Sequence, residues 1–97
     1  AGQIAIDPDT NKLIEGDFKD RVVQVFKNLS AILERAGTDL SKVAKFTVFL
    51  TDMAHYGAVN AVFNEYLNED DAPARSLVAV SGLPAGTDVE IECIAAL

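Results

Sequence analysis

The chain has 97 residues, about the size of one domain, and 49% of them are hydrophobic, which excludes an intrinsically disordered class. Fifteen acidic residues against eight basic ones give a net charge of −7, which argues against binding of nucleic-acid phosphates. The single cysteine excludes a disulfide within the chain, and no apolar run approaches the roughly 18 residues of a membrane span.

The N-terminal segment predicts the end of a strand and then a turn. Residues 2–6 form an apolar run, and residues 7–11 are a cluster of turn-forming side chains. The acidic spacing in this turn resembles the start of a calcium loop, but Lys12 stands where glycine is required and Phe18 where glutamate is required. We therefore predict no metal site here.

A long helix is predicted over residues 17–36, because apolar side chains recur there at steps of three and four. Asp17 can cap its N-terminus, and Gly37 suits the left-handed conformation that ends a helix. The predicted buried stripe consists of Phe18, Val22, Val25, Phe26, Leu29, Ile32, Leu33 and Ala36.

A strand over residues 42–50 and a second helix over residues 53–68 are predicted next, with Asp52 as the helix cap and a solvated acidic exit at residues 68–71. One predicted face of the strand carries Ala44, Phe46, Val48 and Leu50, and the other carries Val43, Lys45, Thr47 and Phe49. The predicted buried stripe of the helix consists of Tyr56, Val59, Phe63, Tyr66 and Leu67.

Two strands are predicted at the C-terminal end, over residues 75–80 and 89–95, with glycine and proline in the loop between them. Side chains alternate along both strands. The first divides into Val78 and Val80 against Arg75, Leu77 and Ala79, and the second into Val89, Ile91 and Cys93 against Glu90, Glu92 and Ile94. If the apolar sets share one face, Arg75 and Glu90 share the opposite face.

The element order predicts a single α+β domain over residues 1–97, with both helices on one face of a mixed sheet and the last two strands paired as a hairpin. The helix-free face would then hold large apolar side chains, each costing about 1.5–3 kcal/mol if left in water. These side chains are Val43, Phe49, Leu77 and Ile94. Association of copies through this face would hide them, and a one-sided sheet with a few exposed apolar residues is the alternative.

Several side chains are candidates for chemistry. The planar fork of Arg75 can bind a carboxylate or form a structural ion pair with an acid such as Glu92, and the residues alone do not separate these roles. Glu90 can orient a water or move a proton, or it can be a solvated glutamate paired with Lys45. His55 is predicted to be an exposed helix residue and belongs to no triad or metal set.

The motifs PARS (73–76), LP (83–84) and DVEIE (88–92) resemble the signature of the RidA/YjgF family, which deaminates reactive imines. The resemblance extends through GQIAIDP (2–8), KVAKFTVFLTDM (42–53) and VNAVFNEYL (59–67), and so covers essentially the whole chain. It implies a chorismate mutase-like fold, a homotrimer with sites at subunit interfaces, and no cofactor. The implied reaction is hydrolysis of 2-imino or enamine acids, such as 2-iminobutanoate, to 2-keto acids and ammonia.

The resemblance also assigns roles to residues. It implies that Arg75 binds the substrate carboxylate, that Glu90 is the first glutamate of VEIE and acts on water, and that Asn60 and Gly2 lie at the pocket. Leu77 occupies a pocket position where many relatives have cysteine, which excludes thiol chemistry there. Cys93 is predicted to be a buried structural thiol on the helix-facing side.

The family also has an N-terminal strand that carries a pocket tyrosine and a serine before Gly2, whereas this sequence begins with Ala1 in the serine position. We therefore expect this chain to lack that strand and to be less stable than a form extended upstream. Loss of the strand's pocket residues also predicts reduced activity. This feature and Leu77 favour the alternative of a non-catalytic module that binds small carboxylates or keto acids. Endoribonuclease activity is the least favoured function because the chain is acidic. The single cysteine fits the reducing cytoplasm, with mitochondria as the alternative.

Overall fold

A three-stranded mixed sheet lies at the centre of the structure, a computed structural model that describes residues 2–67 and 72–97. Its helices are α1 (Phe18–Arg35) and α2 (Tyr56–Tyr66), and its strands are β1 (Ile6–Asp7), β2 (Lys12–Leu13), β3 (Val43–Leu50), β4 (Ala74–Ala79) and β5 (Val89–Ala95). β1 and β2 form a separate antiparallel pair. Short 3₁₀ turns span Leu40–Lys42, Met53–His55 and Pro84–Gly86.

Helix α1 begins and ends where its caps predict. The Asp17 carboxylate accepts a hydrogen bond from the Asp20 amide at 3.1 Å, and Gly37 adopts a φ of 89° after the last turn. Six of the eight predicted core side chains are buried. Ile32 and Ala36 are the exceptions, because they lie at the exposed margin of the stripe.

The sheet has the strand order β4-β3-β5, with β4 parallel and β5 antiparallel to the central strand. The mixed sheet is therefore confirmed, but the predicted hairpin between the last two strands is wrong. The segment between them is long enough to cross the end of β3, where Val80 donates to the Leu50 carbonyl at 2.8 Å and Thr51 donates to the Asp88 carbonyl at 3.3 Å. Hairpin loops are usually only two to five residues long.

Both helices pack on one face of the sheet, as predicted. The ring of Phe46 on β3 lies 5.8 Å from that of Phe26 on α1 and 5.1 Å from that of Phe63 on α2. Val43 was expected on the opposite face but is buried in the core, while Ala44 is exposed. A register shift between Val43 and Lys45 explains this correction, because an irregularity there breaks the simple alternation of the strand.

Helix α2 begins later than predicted. Asp52 caps the 3₁₀ turn by accepting from the Ala54 amide at 2.9 Å, and the α-helix starts at Tyr56. Its buried side chains are Val59, Val62 and Phe63. Tyr56 and Tyr66 are 44% and 36% exposed, contrary to the predicted stripe, because long tyrosine side chains can contact the core while their hydroxyl ends stay in water. The predicted helix end at position 68 and the acidic exit lie outside the described residues.

Strand β4 has the opposite orientation to the predicted one. Arg75 and Leu77 are paired with the buried Phe46 and Val48, so they face the helices, whereas Val78 faces away. Alternation could not decide this because both sets of side chains along β4 include apolar residues. Two observations agree with this orientation. β4 pairs with β3 in this register, and the Arg75 guanidinium contacts aromatic rings on α2.

Strand β5 has the predicted alternation. Val89 and Ile91 are buried beneath the helices, and Glu90, Glu92 and Ile94 lie on the helix-free face. Arg75 and Glu90 therefore lie on opposite faces of the sheet, and the prediction that they share one face is wrong. Among the described residues, no helix is long and apolar enough to cross a membrane.

Candidate functional site

Arg75 lies at the edge of the sheet, beneath helix α2. Its guanidinium carbon Cζ is 4.8 Å from the ring centroid of Phe63 and 5.9 Å from that of Tyr56. The Arg75 side chain lines a concave pocket of about 450 Å³. The pocket is lined by Asn60, Phe63, Asn64, Leu67, Ala72, Pro73 and Arg75.

The local sequence explains this pocket. Asn60 and Asn64 are one helical turn apart on α2, so their amide side chains lie on the same side of the helix. Pro73 precedes β4, at the edge of the sheet, where a missing backbone N–H does not interrupt the ladder. Asn60 and Arg75 are therefore brought together at one pocket, and Asn64 is a lining residue that the sequence patterns did not single out.

Glu90 lies on β5 beside the N-terminal segment. Gln3 and Ile91 exchange two backbone hydrogen bonds of 2.8 and 3.0 Å, which hold Gly2 next to Glu90. A Cβ atom added to Gly2 would lie 2.9 Å from both Cδ and Oε2 of Glu90. Gly2 and Glu90 thus form a second cluster, on the face opposite the Arg75 pocket. Because Gly2 has no side chain, the Glu90 carboxylate can occupy the space beside it.

Among the described residues, neither an Arg75–Glu92 nor a Glu90–Lys45 ion pair is formed. The cross-strand neighbour of Glu90 is Phe49, and Lys45 is paired with Ile94 further along β5. Glu92 lies on the face opposite Arg75. Within residues 2–67 and 72–97 the two ion pairs are Lys19–Glu65 and Arg21–Asp88, which leaves Arg75 and Glu90 without a charged partner there.

Leu77 shares the helix-facing side of β4 with Arg75 and packs against the core. It is not among the residues that line the pocket. Cys93 also lies on the helix-facing side, as predicted, and is half-buried. Burial raises the pKa of its thiol, which favours the unreactive protonated form.

His55 is half-buried rather than exposed, because its ring stacks on Phe18 at 3.9 Å with an interplanar angle of 4°. This contact joins the start of α2 to the start of α1. Across the described ranges, no group of three histidine, cysteine or acidic side chains is arranged to hold a metal ion.

Sequence reasoning missed the pairing of Arg21 with Asp88. Nε and Nη2 of Arg21 donate to the two Asp88 oxygens at 2.9 and 2.7 Å, and Nη1 donates to the Gly16 carbonyl at 2.7 Å. Burial opposes ionisation of Asp88, but the hydrogen bonds and charge of Arg21 outweigh it and hold the pKa of the carboxyl below its ordinary value. No local pattern links two residues 67 positions apart.

The chain matches a sequence model described as Endoribonuclease L-PSP over residues 1–97. It belongs to that family, also called the RidA/YjgF family. A RutC family protein of Synechocystis is 48% identical over an alignment of 98 positions that covers 100% of this chain and 75% of the relative. The mouse protein named 2-iminobutanoate/2-iminopropanoate deaminase is 41% identical over 95 residues, 98% of this chain and 70% of the relative.

Solved RidA/YjgF structures have the same fold. The crystal structure of RidA from the Antarctic bacterium Psychrobacter sp. aligns with a TM-score of 0.94 at 46% identity, covering 100% of this chain and 77% of that one. The resemblance to the family is therefore confirmed, as is the arrangement of two helices on a mixed sheet. The roles of Arg75, Glu90, Asn60, Gly2 and Leu77 stay predictions.

Proposed function

We propose that this chain hydrolyses reactive 2-imino and enamine acids, such as 2-iminobutanoate, to 2-keto acids and ammonia. The observation that carries the proposal is that Arg75 and Asn60 line the same pocket. Family membership supports the reaction class, since the mouse and rat relatives have names of imine deaminases.

In this mechanism Arg75 holds the substrate by its carboxylate. A guanidinium offers two parallel N–H donors to the two carboxylate oxygens, which fixes the direction of the adjoining imine carbon. The Asn60 amide, which lines the same pocket, can donate to the substrate or accept from it. This arrangement suits an α-imino acid, whose carboxylate is bonded directly to the reacting carbon.

Glu90 acts on the water in this proposal. Its carboxylate accepts a proton from the water as the oxygen bonds to the imine carbon and the C=N double bond becomes single. The carboxyl group then returns this proton to nitrogen, which gives a carbinolamine. The carboxylate next takes the hydroxyl proton and delivers it to nitrogen as the C–N bond breaks, so the C=O double bond forms and ammonia leaves. Water is the only co-reactant, so the reaction balances without a cofactor.

One chain does not supply the whole site, because Arg75 and Glu90 lie on opposite faces of the sheet. We therefore propose a homotrimer in which the Arg75 pocket of one copy meets Glu90 of another. The helix-free face supports association, since Phe49, Val78 and Ile94 lie on it, with Val78 44% and Ile94 69% exposed.

A second candidate is a non-catalytic module that binds small carboxylates or keto acids. The Arg75 pocket and the Gly2–Glu90 cluster lie on opposite faces of the sheet. A chain in which no Glu90 reaches the Arg75 pocket would therefore bind the carboxylate without hydrolysing the imine. Such a module would bind 2-ketobutyrate through Arg75 without accelerating imine loss. The acidic net charge gives no support to an endoribonuclease role.

Competition with semicarbazide tests the proposal. A threonine dehydratase generates 2-iminobutanoate, and semicarbazide traps the imine that this chain has not hydrolysed. We expect slower semicarbazone formation with the wild-type chain and with Arg35→Ala, which removes a charge outside the Arg75 pocket. Arg75→Ala and Arg75→Lys should abolish the effect, because neither retains the bidentate fork.

Two other results would contradict imine hydrolysis. If wild-type protein leaves the rate of semicarbazone formation unchanged, the chain is not a deaminase. If calorimetry then shows that it binds 2-ketobutyrate, and that Arg75→Ala does not, the binding module is the correct function. Unchanged turnover by Arg75→Ala would remove Arg75 from the site.

A further inference from the structure

Two aromatic rings on helix α2 contact the Arg75 guanidinium. Tyr56 and Phe63 are seven residues apart, which is close to two helical turns, so both rings lie on the side of the helix that faces β4. Both Cζ-to-centroid distances lie within the range of a cation–π contact. In the part of the chain that the structure describes, these rings are the partners of the guanidinium, and no hydrogen bond fixes it.

The ring of Phe63 is itself held firmly by the core. It packs edge-on against Phe26, with centroids 4.9 Å apart at 85°, and against Phe46, with centroids 5.1 Å apart at 84°. Phe63 is only 6% exposed. Edge-to-face contacts favour one ring orientation, so the guanidinium lies over a surface whose position the core determines.

We propose that Phe63 and Tyr56 are positioning residues that hold the Arg75 guanidinium ready for a carboxylate, an inference that rests on the proposed function. Arginine has many rotamers, and selecting one of them before the ligand arrives lowers the entropy lost on binding. A cation–π contact does this without using the N–H donors that bind the carboxylate. Tyr56 is not among the pocket-lining residues, so it acts through Arg75.

Matched substitutions on one helix test this inference. Tyr56→Leu removes the ring, and Tyr56→Phe keeps it. Tyr66→Leu is the control, because Tyr66 is a similarly exposed tyrosine on α2 that stacks on Phe26, at 5.0 Å and 17°, and is not among the rings in contact with Arg75. Phe63→Leu removes the second ring, and its thermal unfolding is measured to establish that it is folded.

The first measurement needs no substrate. The Arg75 Nε–Hε resonance in ¹⁵N-labelled protein, assigned by its loss in Arg75→Lys, reports the ring currents of neighbouring aromatic groups. We expect it to move in Tyr56→Leu and in folded Phe63→Leu, and to stay in place in Tyr66→Leu.

The second measurement is the dissociation constant for 2-ketobutyrate by calorimetry. Loss of a cation–π contact should raise it about two- to fivefold in Tyr56→Leu, with recovery in Tyr56→Phe and no change in Tyr66→Leu. A wild-type resonance and affinity in Tyr56→Leu, or equal loss in Tyr66→Leu, would overturn the positioning role alone. If wild-type protein neither binds 2-ketobutyrate nor hydrolyses imine, the proposed function fails and this inference fails with it.

Discussion

At the scale of single residues, Glu90 and Glu92 are a natural comparison. They lie two positions apart on the same face of β5, and sequence spacing alone does not separate them. The structure distinguishes them by their surroundings, because Glu90 is half-buried beside Gly2 whereas Glu92 is exposed. This position beside Gly2, which the family resemblance places at the pocket, is what makes Glu90 the better candidate for the site.

We expect Glu90→Gln to lower kcat for imine hydrolysis about 10²- to 10⁴-fold, the usual effect of removing a general acid–base group. Folding should be retained, because the amide has nearly the same shape. Glu92→Gln on the same strand should stay close to wild-type activity. Steady-state kinetics on both variants decides the assignment, and a larger loss in Glu92→Gln would reverse it.

Gly2→Ala should also lower turnover. The added methyl group would lie 2.9 Å from the Glu90 carboxylate, closer than real contacts of this kind allow, so the carboxylate or the N-terminal segment must move. Gly57→Ala is the matched control, because a Cβ there would have nothing within 4 Å. Equal kcat values in the two variants would show that the position of Glu90 beside Gly2 does not matter for the reaction.

At the scale of elements, the Arg21–Asp88 pair fastens α1 to the segment that leads into β5. Both side chains are about a quarter or less exposed, and Arg21 forms two hydrogen bonds with the carboxylate. Such charge-assisted hydrogen bonds stabilise more than exposed pairs do. This pair therefore helps to place the strand that carries Glu90.

Asp88→Asn should lower the free energy of unfolding near pH 7 by about 1.5–3 kcal/mol. Because Arg21 depresses the folded-state pKa of Asp88, this stabilisation is present above the unfolded pKa, at about pH 4, and is lost as the pH falls through the folded value. Urea denaturation of the wild-type chain and of Asp88→Asn, at pH 7 and at pH 2, measures the difference between their free energies of unfolding. Glu65→Gln, which removes the exposed Lys19–Glu65 pair, should have little effect, and equal losses in both variants would contradict this role.

The elements also show how far the sequence could predict this fold. Helix α1 and strand β5 follow their hydrophobic periods, because one face of each is buried and the other is not. The orientation of β4 could not be predicted, since Leu77 and Val78 make both of its faces partly apolar. The strand order depends on a long loop that no turn pattern specifies. Asn60 was proposed only because of the family resemblance, and helical spacing alone would not have selected it.

At the scale of the whole molecule, the helix-free face is the surface on which the proposed homotrimer depends. Its apolar side chains lie on a sheet face that neither α1 nor α2 covers. Burial of such side chains contributes about 1.5–3 kcal/mol each, which favours association over an open face. The same face carries Glu90, so association and completion of the site are linked in our proposal.

We expect light scattering to find a homotrimer at micromolar concentration and Ile94→Lys to be monomeric with little deaminase activity, because a charge in an apolar contact is not compensated. Ile32→Lys is the control, since Ile32 is half-exposed on α1, away from the helix-free face. A wild-type monomer, or a trimer unaffected by Ile94→Lys, would contradict association through this face.

The placement of Arg75 and Glu90 on opposite faces has a genetic consequence. In the homotrimer that we propose, each site would take its arginine from one copy and its glutamate from the next. Two alleles, one defective in Arg75 and the other in Glu90, would then complement each other when expressed together. Random mixing in equal amounts gives one half times one half, so about one quarter of the sites regain both wild-type groups.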